Sequence, residues 1–283
     1  MQSAQKLKKE LEFNTELKQL LEVLKGIAAS QFRQLEKRKE RFVKFMDTFE
    51  GFFRMIDFSN LDHPFAKAQG RLGIMMVTSD EGFMGGLNSK VINMALAYPE
   101  SKHAEFIILG ERGAGYLRGI RHSFIEFPGI PSEGVYETAL KLRDFIMKEA
   151  SSGKFSRLVL FYPKSLSFTV QKIESVTILP CSEMFEKRES IVPKEELILD
   201  SSLNKIIEYL LGAWVMEKLL EVFEDSKLSE FSARTVHLEE SHQVLQQRES
   251  SIRFQYFRSH HELVDRGMRE TFSTQLIRKK KQV

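Results

Sequence analysis

The chain has 283 residues, of which 42% are hydrophobic and 29% are charged, and its formal net charge is +3. This length and composition are ordinary for a globular protein with a substantial core, and the small charge gives no reason to expect a nucleic-acid partner. The single cysteine excludes an internal disulfide,. No apolar run approaches the roughly 20 residues that cross a bilayer, so we expect any membrane association to occur through partner proteins.

The first sixty residues are predicted to form one long amphipathic helix. They contain no proline and two glycines, and apolar residues recur at alternating steps of three and four. Asn14, Lys18 and Lys25 interrupt this apolar seam. A second apolar line runs beside the seam, formed by Leu17, Leu20, Leu24 and Ile27. The pattern is typical of a coiled-coil helix, which we assign to residues 1–60.

Residues 70–180 are predicted to form an α/β domain with a mostly parallel open sheet. Four short apolar runs have the length and flanking breakers of buried strands: 72–78, 105–110, 123–127 and 157–163,. Helical spacing lies between them at 87–98 and 136–150, and this alternation of strand and helix favours parallel pairing,. The stretch 167–180 alternates apolar and polar residues, as an exposed antiparallel edge strand does,.

A glycine-rich turn follows the first predicted strand, in TSDEGFMGGLN at residues 78–88. Phosphate-binding loops occupy this position in α/β folds, but a Walker loop needs a lysine directly after its last glycine, and here Leu87 and Asn88 follow,. The spacing also fails the dinucleotide fingerprint. We therefore predict that Gly82, Gly85 and Gly86 serve tight strand-to-helix packing at positive φ.

The remaining sequence contains no pattern that predicts an active site. GERGAGYLRG, at residues 110–119, also lacks the dinucleotide spacing, and we interpret its glycines as a second turn. Histidines stand beside carboxylates at His242 and at His260 and His261, but without the paired spacing of zinc-binding helices,. We predict no catalytic residue, no cofactor and no metal. A small-molecule α/β enzyme with a pocket at the turn stays open as an alternative.

The C-terminal residues 202–283 are predicted to form a second long helix. Residues 202–277 contain no proline, and their apolar face is broad at first and thins past Ser229 to isolated apolar residues among Glu, Gln and Ser. A helix this polar needs a partner helix, and the N-terminal helix offers one. We therefore predict an antiparallel coiled coil made from the two chain ends, flanking the α/β domain.

Three stretches, in chain order, carry a family resemblance. IAASQFR at 27–33 resembles V-A-A-x-K-x-R, TSDEGFMGGLN at 78–88 resembles S-S-D-x-G-L-C-G-x-x-N, and LSEFSARTVHL at 228–238 resembles A-S-E-x-x-x-R-M-x-A-M. Met84 stands where cysteine is common. Together with the helix–α/β–helix layout, these motifs resemble the gamma subunit of rotary F-type ATP synthases over essentially the whole chain. His260 and His261 replace the Arg-Gln of the family's tip pattern, which favours a divergent member.

The resemblance implies a non-catalytic central-stalk rotor subunit that couples ion-driven rotation of a membrane ring to conformational changes in a catalytic hexamer. The implied partners are the alpha and beta subunits of that hexamer, the epsilon subunit and the membrane rotor ring, at the cytoplasmic face of the cell membrane. The residues expected to contact the hexamer are Leu24, Ile27, Arg33, Arg234, Tyr256, Arg258, His260 and His261. The alternative is a coiled-coil interaction or adaptor protein with an α/β domain.

Overall fold

The computed structural model describes residues 4–53, 70–181 and 203–280, and within these the side chains of 38–53, 203, 204, 207 and 275–280 are not described. The predicted end of the first helix at residue 60 lies outside the described residues. In chain order the elements are α1 (Ala4–Phe53), β1 (Leu72–Val77), α2 (Leu87–Leu96), β2 (Glu105–Leu109), α3 (Glu111–Gly119), β3 (Phe124–Phe127), α4 (Val135–Ser151), β4 (Arg157–Ser165), β5 (Gln171–Leu179) and α5 (Leu203–Lys280).

The chain divides into two compact units. The first combines Met1–Ile27 with His237–Val283 and is built from the outer ends of α1 and α5. The second, Ala28–Val236, contains the sheet, the shorter helices and the remaining lengths of α1 and α5. No helix among the described residues has both the length and the apolar character needed to span a membrane.

In the first unit, α1 and α5 run antiparallel. Lys25 pairs with Glu239, Asn14 with Leu245 and Glu10 with Arg248, so residue numbers rise along α5 as they fall along α1. The residues of α1 that are buried in this unit stand seven apart, at Leu7, Asn14 and Leu21. A seven-residue repeat keeps one seam of a helix facing its partner, as in a coiled coil.

In the second unit, a five-stranded sheet has the order β3-β2-β1-β4-β5. The first four strands are parallel neighbours, and β5 pairs antiparallel with β4 at the edge. Every residue of β1 is buried, because a central parallel strand is covered on both faces,. The predicted fold class is therefore confirmed, including the antiparallel edge strand and the antiparallel helical pair.

Successive side chains of the strands enter two different cores. Met75 and Val77 pack on one face with α4 and with the Leu211–Phe223 stretch of α5. Ile74 and Met76 pack on the other face with α2 and α3. This alternation follows from the period of two along a strand, and it makes α5 a structural part of the α/β unit.

Helix α3 departs from the prediction, because the glycine-containing stretch interpreted as a turn forms a helix over Glu111–Gly119. Ala114 and Leu117 are fully buried and anchor it to the sheet. A side chain at Gly113 would meet Thr78 Oγ1 at 2.3 Å, so glycine is what allows the helix to lie against the end of β1,. Close packing, not a turn, accounts for glycine at this position.

Candidate functional site

The polar residues that interrupt the α1 seam make contacts with α5. Asn14 is 3% exposed, and its Nδ2 donates a hydrogen bond to the carbonyl oxygen of Leu245 at 3.3 Å. Lys18 Nζ lies 2.6 Å from Glu249 Oε2. A polar group inside a coiled-coil seam is satisfied in one alignment of the helices and unsatisfied in others. These residues therefore fix the register of the pair.

Lys25 joins the two helices at the other end of this unit. Its ammonium lies 2.8 Å from Glu22 on its own helix and 2.8 Å from Glu239 on α5. The hydrogen bonds to Glu22 and to Glu239 raise the pKa of Lys25 above its ordinary value,. The hydrogen bond from Lys25, together with one from Gln243, lowers the pKa of Glu239. Both groups are thus held in their charged forms.

A second face of α1 is open to solvent in the first unit. Phe13, Leu20 and Ile27 stand seven residues apart and are 63%, 53% and 49% exposed. Leu24 is half-buried beside them. In the second unit, Arg33 is exposed. Three of the predicted partner-binding residues therefore lie where a second protein can reach them, and Ile27 lies on an apolar stripe.

The C-terminal part of α5 has its own exposed face. Ile252 is the last buried residue in the described part of this helix, and every residue from 260 to 274 is exposed. Large apolar side chains continue through this stretch, at Leu263, Val264, Met268 and Phe272. A helix with exposed apolar residues over several turns is typical of a surface that another protein covers.

The predicted tip residues lie at the beginning of this exposed stretch. Tyr256 is half-buried, and its ring centroid lies 5.9 Å from that of His260. Arg258 Nε lies 3.6 Å from Glu262 Oε1 on the same helix. His260 and His261 are both exposed. All four tip residues predicted to contact the hexamer therefore present atoms to solvent.

The glycine turn in the second unit uses its glycines in different ways. Gly85 has φ +58°, and the neighbouring Phe83 also has positive φ, at +64°. Gly86 has φ −92° at the N-cap of α2, and a methyl group there would meet no atom within 4 Å. Gly82 lies beside the guanidinium of Arg112. Among the three predicted glycines, positive φ is found at Gly85 alone.

Arg234 of α5 connects that helix to the glycine turn. Its Nη2 lies 2.7 Å from Glu230 Oε1 and 3.0 Å from Glu81 Oε2, and its Nε donates to the carbonyl oxygen of Gly82 at 3.3 Å. The residue is 7% exposed. Because its donors are directed to groups of its own chain, we assign Arg234 an internal role, and its contact with another subunit stays a prediction.

The second and third sequence motifs therefore meet in space. All residues from Leu228 to Thr235 are buried, although a helix at a protein surface normally exposes one side,. Ala233 packs with Met84 and Leu87 of the turn, and Phe231 packs with Phe32 of α1. The helix is thus enclosed between α1 on one side and the turn on the other.

The start of α3 is the other place where an α/β fold offers backbone N–H groups to a phosphate. Here Asp80 Oδ1 accepts hydrogen bonds from the N–H of Glu111 at 2.9 Å and of Gly129 at 3.1 Å. A side chain at Gly129 would come within 2.7 Å of the Asp80 carboxylate. The chain's own carboxylate thus takes the place that an anionic ligand would occupy.

The arrangement does not assemble catalytic chemistry in the part of the chain that the structure describes. No three His, Cys, Asp or Glu side chains there are grouped so that they could hold a metal ion. Cys181 is buried, and its thiol contacts the carbonyl oxygen of Ile178. What the geometry does provide is two long helices held in register and a turn fixed to one of them.

Comparisons with known proteins agree with this architecture. A family model described as ATP synthase matches residues 3–267. Curated relatives described as ATP synthase gamma chain, from the JH9 and Newman strains of Staphylococcus aureus, are 22% identical over 254 residues, covering 83% of this chain and 84% of theirs.

Solved structures with the same fold come from two mitochondrial ATP synthases. The Euglena gracilis rotor in rotational state 1 is 14% identical with a TM-score of 0.67, covering 92% of this chain and 98% of that one. The Tetrahymena thermophila central stalk and c-ring structure gives 16% identity and a TM-score of 0.62, covering 78% of this chain and 99% of that one. Since the family match extends over nearly the whole sequence, the chain belongs to the ATP synthase gamma-chain family.

Proposed function

We propose that this chain is the central-stalk rotor subunit of an F-type ATP synthase. It couples ion-driven rotation of a membrane ring to conformational changes in a catalytic alpha/beta hexamer, and it performs no chemistry itself. The observation that carries the proposal is the register-locked antiparallel pair of α1 and α5, in a chain that matches the family over residues 3–267. A rotor has to resist twisting, and two helices with interlocked seams and specific polar contacts do so better than one.

The helical pair acts on its partners through shape. A shaft that differs from side to side contacts each of several surrounding subunits differently at any moment. Each contact then stabilises one conformation of that subunit over the others, and rotation moves the preference to the next subunit. The energy transferred at each step is limited by the difference in contact free energy between those conformations.

We assign contact with the alpha and beta subunits to the exposed faces of the helices. On α1 these are Leu24, Ile27 and Arg33, and on α5 they are the tip residues Tyr256, Arg258, His260 and His261. Support comes from the exposure of five of these residues, from the partial exposure of Leu24 and Tyr256, and from the apolar residues that continue along α5 to Phe272 without burial. An aromatic or arginine side chain at the centre of an interface contributes more binding free energy than most other types.

We assign the membrane rotor ring and the epsilon subunit to the α/β unit. The related structures are of a rotor and of a central stalk with its c-ring, which supports a position next to the ring. The chain is then peripheral to the membrane at its cytoplasmic face, held there by these partners. The glycine turn has no nucleotide role in this assignment, because Arg234 binds the carbonyl oxygen of Gly82 and the turn's own Asp80 binds the backbone N–H of Glu111.

The test is reconstitution of the complete complex with its own alpha, beta, epsilon and ring subunits in sealed vesicles. We expect the chain to copurify with the hexamer, to turn over no ATP alone, and to be required for ATP-driven ion pumping. A chain that ends after Ile252 lacks the exposed tip and is expected to lose most of the coupling. The matched control replaces residues 253–280 by an alanine-rich helix of equal length.

Two results would count against the proposal. If the purified chain forms a stable homodimer and does not associate with the hexamer, the adaptor alternative is favoured. If the isolated chain binds or hydrolyses ATP in a saturable way, and Arg112 or Asp80 substitutions abolish that binding, the enzyme alternative is favoured.

A further inference from the structure

The β4–β5 ribbon extends beyond the sheet. β1 pairs with β4 only as far as Phe161, whereas β5 pairs with β4 up to Ser165 opposite Gln171. From residue 162 onward the ribbon is therefore two-stranded. A two-stranded ribbon is marginally stable in water unless another element packs on it. Its position in this structure is consequently set by what packs on it, namely the Met84, Leu87 and Ala233 cluster at Ile173 and the two helices at its tip.

The tip of the ribbon contacts α1 through an aromatic pair. Phe168 and Phe32 meet edge to face, with ring centroids 4.9 Å apart and planes at 86°. Phe32 is 6% exposed and also packs with Leu228 and Phe231 of α5. An edge-to-face contact has a preferred geometry, so the ribbon is fixed in orientation as well as in distance.

The same tip contacts α5 through a hydrogen-bonded chain. Gln171 Nε2 donates to the carbonyl oxygen of Phe168 at 3.3 Å and to Ser232 Oγ at 3.1 Å. Ser232 is fully buried, and its hydroxyl donates a hydrogen bond to the carbonyl oxygen of Ser229 at 3.0 Å. Lower on the ribbon, Lys164 Nζ lies 3.8 Å from the buried carboxylate of Asp225.

We infer that the β4–β5 ribbon is a brace that holds both rotor helices to the α/β unit, with Phe168 and Gln171 as its positioning residues. This inference rests on the proposed rotor function. The sheet already holds α5 around Val215, and Ser232 lies about 25 Å further along the helix at 1.5 Å per residue,. The glycine turn also holds α5 near Ser232, through Ala233 and Arg234, but the ribbon tip contacts α1 as well as α5. The ribbon thus adds an attachment that opposes bending and twisting of both helices.

The brace predicts a defect that appears under load. In the reconstituted complex, Phe168→Ala combined with Gln171→Ala removes both contacts and leaves the partner-binding faces unchanged. Without an opposing ion gradient, we expect ATP hydrolysis per assembled complex to stay at the wild-type rate. Against a pre-formed gradient, we expect the ions pumped per ATP to fall by about twofold or more, because the aromatic pair and the hydrogen bond no longer oppose the applied torque.

Control variants separate the brace from general stability. Leu166→Ala removes another large apolar side chain from the same tip, where it is 60% exposed, and is expected to leave the ions pumped per ATP under load unchanged. Phe168→Tyr as a single substitution retains the ring and leaves Gln171 in place. It is expected to pump as the wild type does under load. If the wild-type chain fails to join the hexamer, the proposed function fails. If it joins and the double variant pumps normally under load, only the brace is wrong.

A cross-link supplies an independent test. Phe32→Cys and Phe168→Cys, in a chain with Cys181→Ser, allow a short bismaleimide to join the ribbon to α1 in the assembled complex. A permanent brace predicts that, without an opposing ion gradient, the linked complex keeps its turnover, as do both single-cysteine controls treated alike. A linked complex that stops, while its single-cysteine controls turn over, would show that the ribbon leaves α1 during rotation, which overturns the inference.

Discussion

Lys25 of α1 and Glu239 of α5 lie 2.8 Å apart, although 214 positions separate them in the sequence. Lys25 occupies a seam position that the apolar pattern assigns to a hydrophobic side chain. Its charge is matched from both helices, by Glu22 and by Glu239. The pair therefore contributes alignment more than free energy of folding, since partly exposed ion pairs contribute only about 0–1 kcal/mol.

Replacing Asn14 by Leu is expected to strengthen the helical pair and loosen its register. The substitution removes a buried amide whose contact is the hydrogen bond to Leu245 and extends the apolar seam,. Denaturant unfolding should show equal or higher stability. Cross-linking between cysteines placed along α1 and α5 should then trap several alignments in place of one. A single trapped alignment in the variant would show that Asn14 does not set the register.

A proline at Leu24 tests whether α1 must be continuous. It removes one backbone hydrogen bond and clashes with the preceding turn, at a cost of about 3 kcal/mol or more. We expect complexes that contain Leu24→Pro to assemble poorly or to hydrolyse ATP without pumping ions. Leu24→Ala is the control, because it removes the side chain and keeps the helix. Normal coupled ATP synthesis in the proline variant would contradict the shaft function.

Arg234→Met is expected to be strongly destabilising. It removes the arginine from one oxygen of the buried Glu230 carboxylate, while Lys227 stays 3.0 Å from the other oxygen, and it frees the carbonyl oxygen of Gly82. Breaking a buried ion pair from one side costs about 3–5 kcal/mol. Unfolding can be followed by the fluorescence of Trp214, the single tryptophan, which is 5% exposed in the core.

Two further variants complete that measurement. Adding Glu230→Met to Arg234→Met removes both charges of that pair but takes the carboxylate from Lys227, so we expect it to recover only part of the lost stability,. Arg33→Met changes an exposed arginine and should alter stability little,. Equal losses for the single and the double variant would mean that Arg234 acts through packing alone.

Gly85 and Gly86 are expected to respond differently to the same substitution. Gly85→Ser forces an L-residue to keep φ +58°, which costs about 1–2 kcal/mol,. Gly86→Ser places a preferred N-cap residue at φ −92°, with open space around its side chain, and should change stability by less than about 1 kcal/mol or raise it,. Thermal unfolding of the two variants side by side measures the difference. Equal destabilisation would contradict the geometry of the turn.

Because of the buried hydroxyl of Tyr162, we expect the free energy of unfolding to fall at alkaline pH. Burial, followed by the nearby charge of Asp225, raises the pKa of its hydroxyl above the ordinary 10.0,. The folded state therefore holds this proton more tightly than the unfolded state. The stabilising contribution is complete below about pH 10 and is lost as the pH rises above that value. We expect Tyr162→Phe to flatten the loss of stability above pH 10.

The control for that measurement is Tyr136→Phe, at a tyrosine that is 59% exposed on α4. Its hydroxyl is in contact with water in both states, so the slope of stability against pH should match that of the unaltered chain. If Tyr162→Phe and Tyr136→Phe give the same slope as the unaltered chain, burial of Tyr162 does not limit alkaline stability.

The strands, the edge strand and the two long helices could be predicted from the sequence, because buried runs and seven-residue spacing are local patterns. The sequence also determined the family, through three motifs in fixed order. It did not reveal α3, since the glycines of that helix suggest a turn, and the reason for Gly113 is the approach of Thr78 from a distant strand. Glu230 and Arg234 stand four residues apart, a spacing that predicts an ion pair on one helix. The spacing does not indicate whether that pair is buried in the protein or exposed to solvent.

The roles of the polar residues could be assigned only from the contacts they make in the folded chain. Asn14, Lys18 and Lys25 look like defects in the apolar seam until α5 supplies Leu245, Glu249 and Glu239. Arg234 is predicted from the family resemblance to bind a partner, whereas in the fold its donors are directed to Glu230, Glu81 and Gly82. The physical reason is the same in both cases. The role of a charge or an amide depends on a partner that is near in space and remote in sequence, and the periodicity of one helix does not identify that partner.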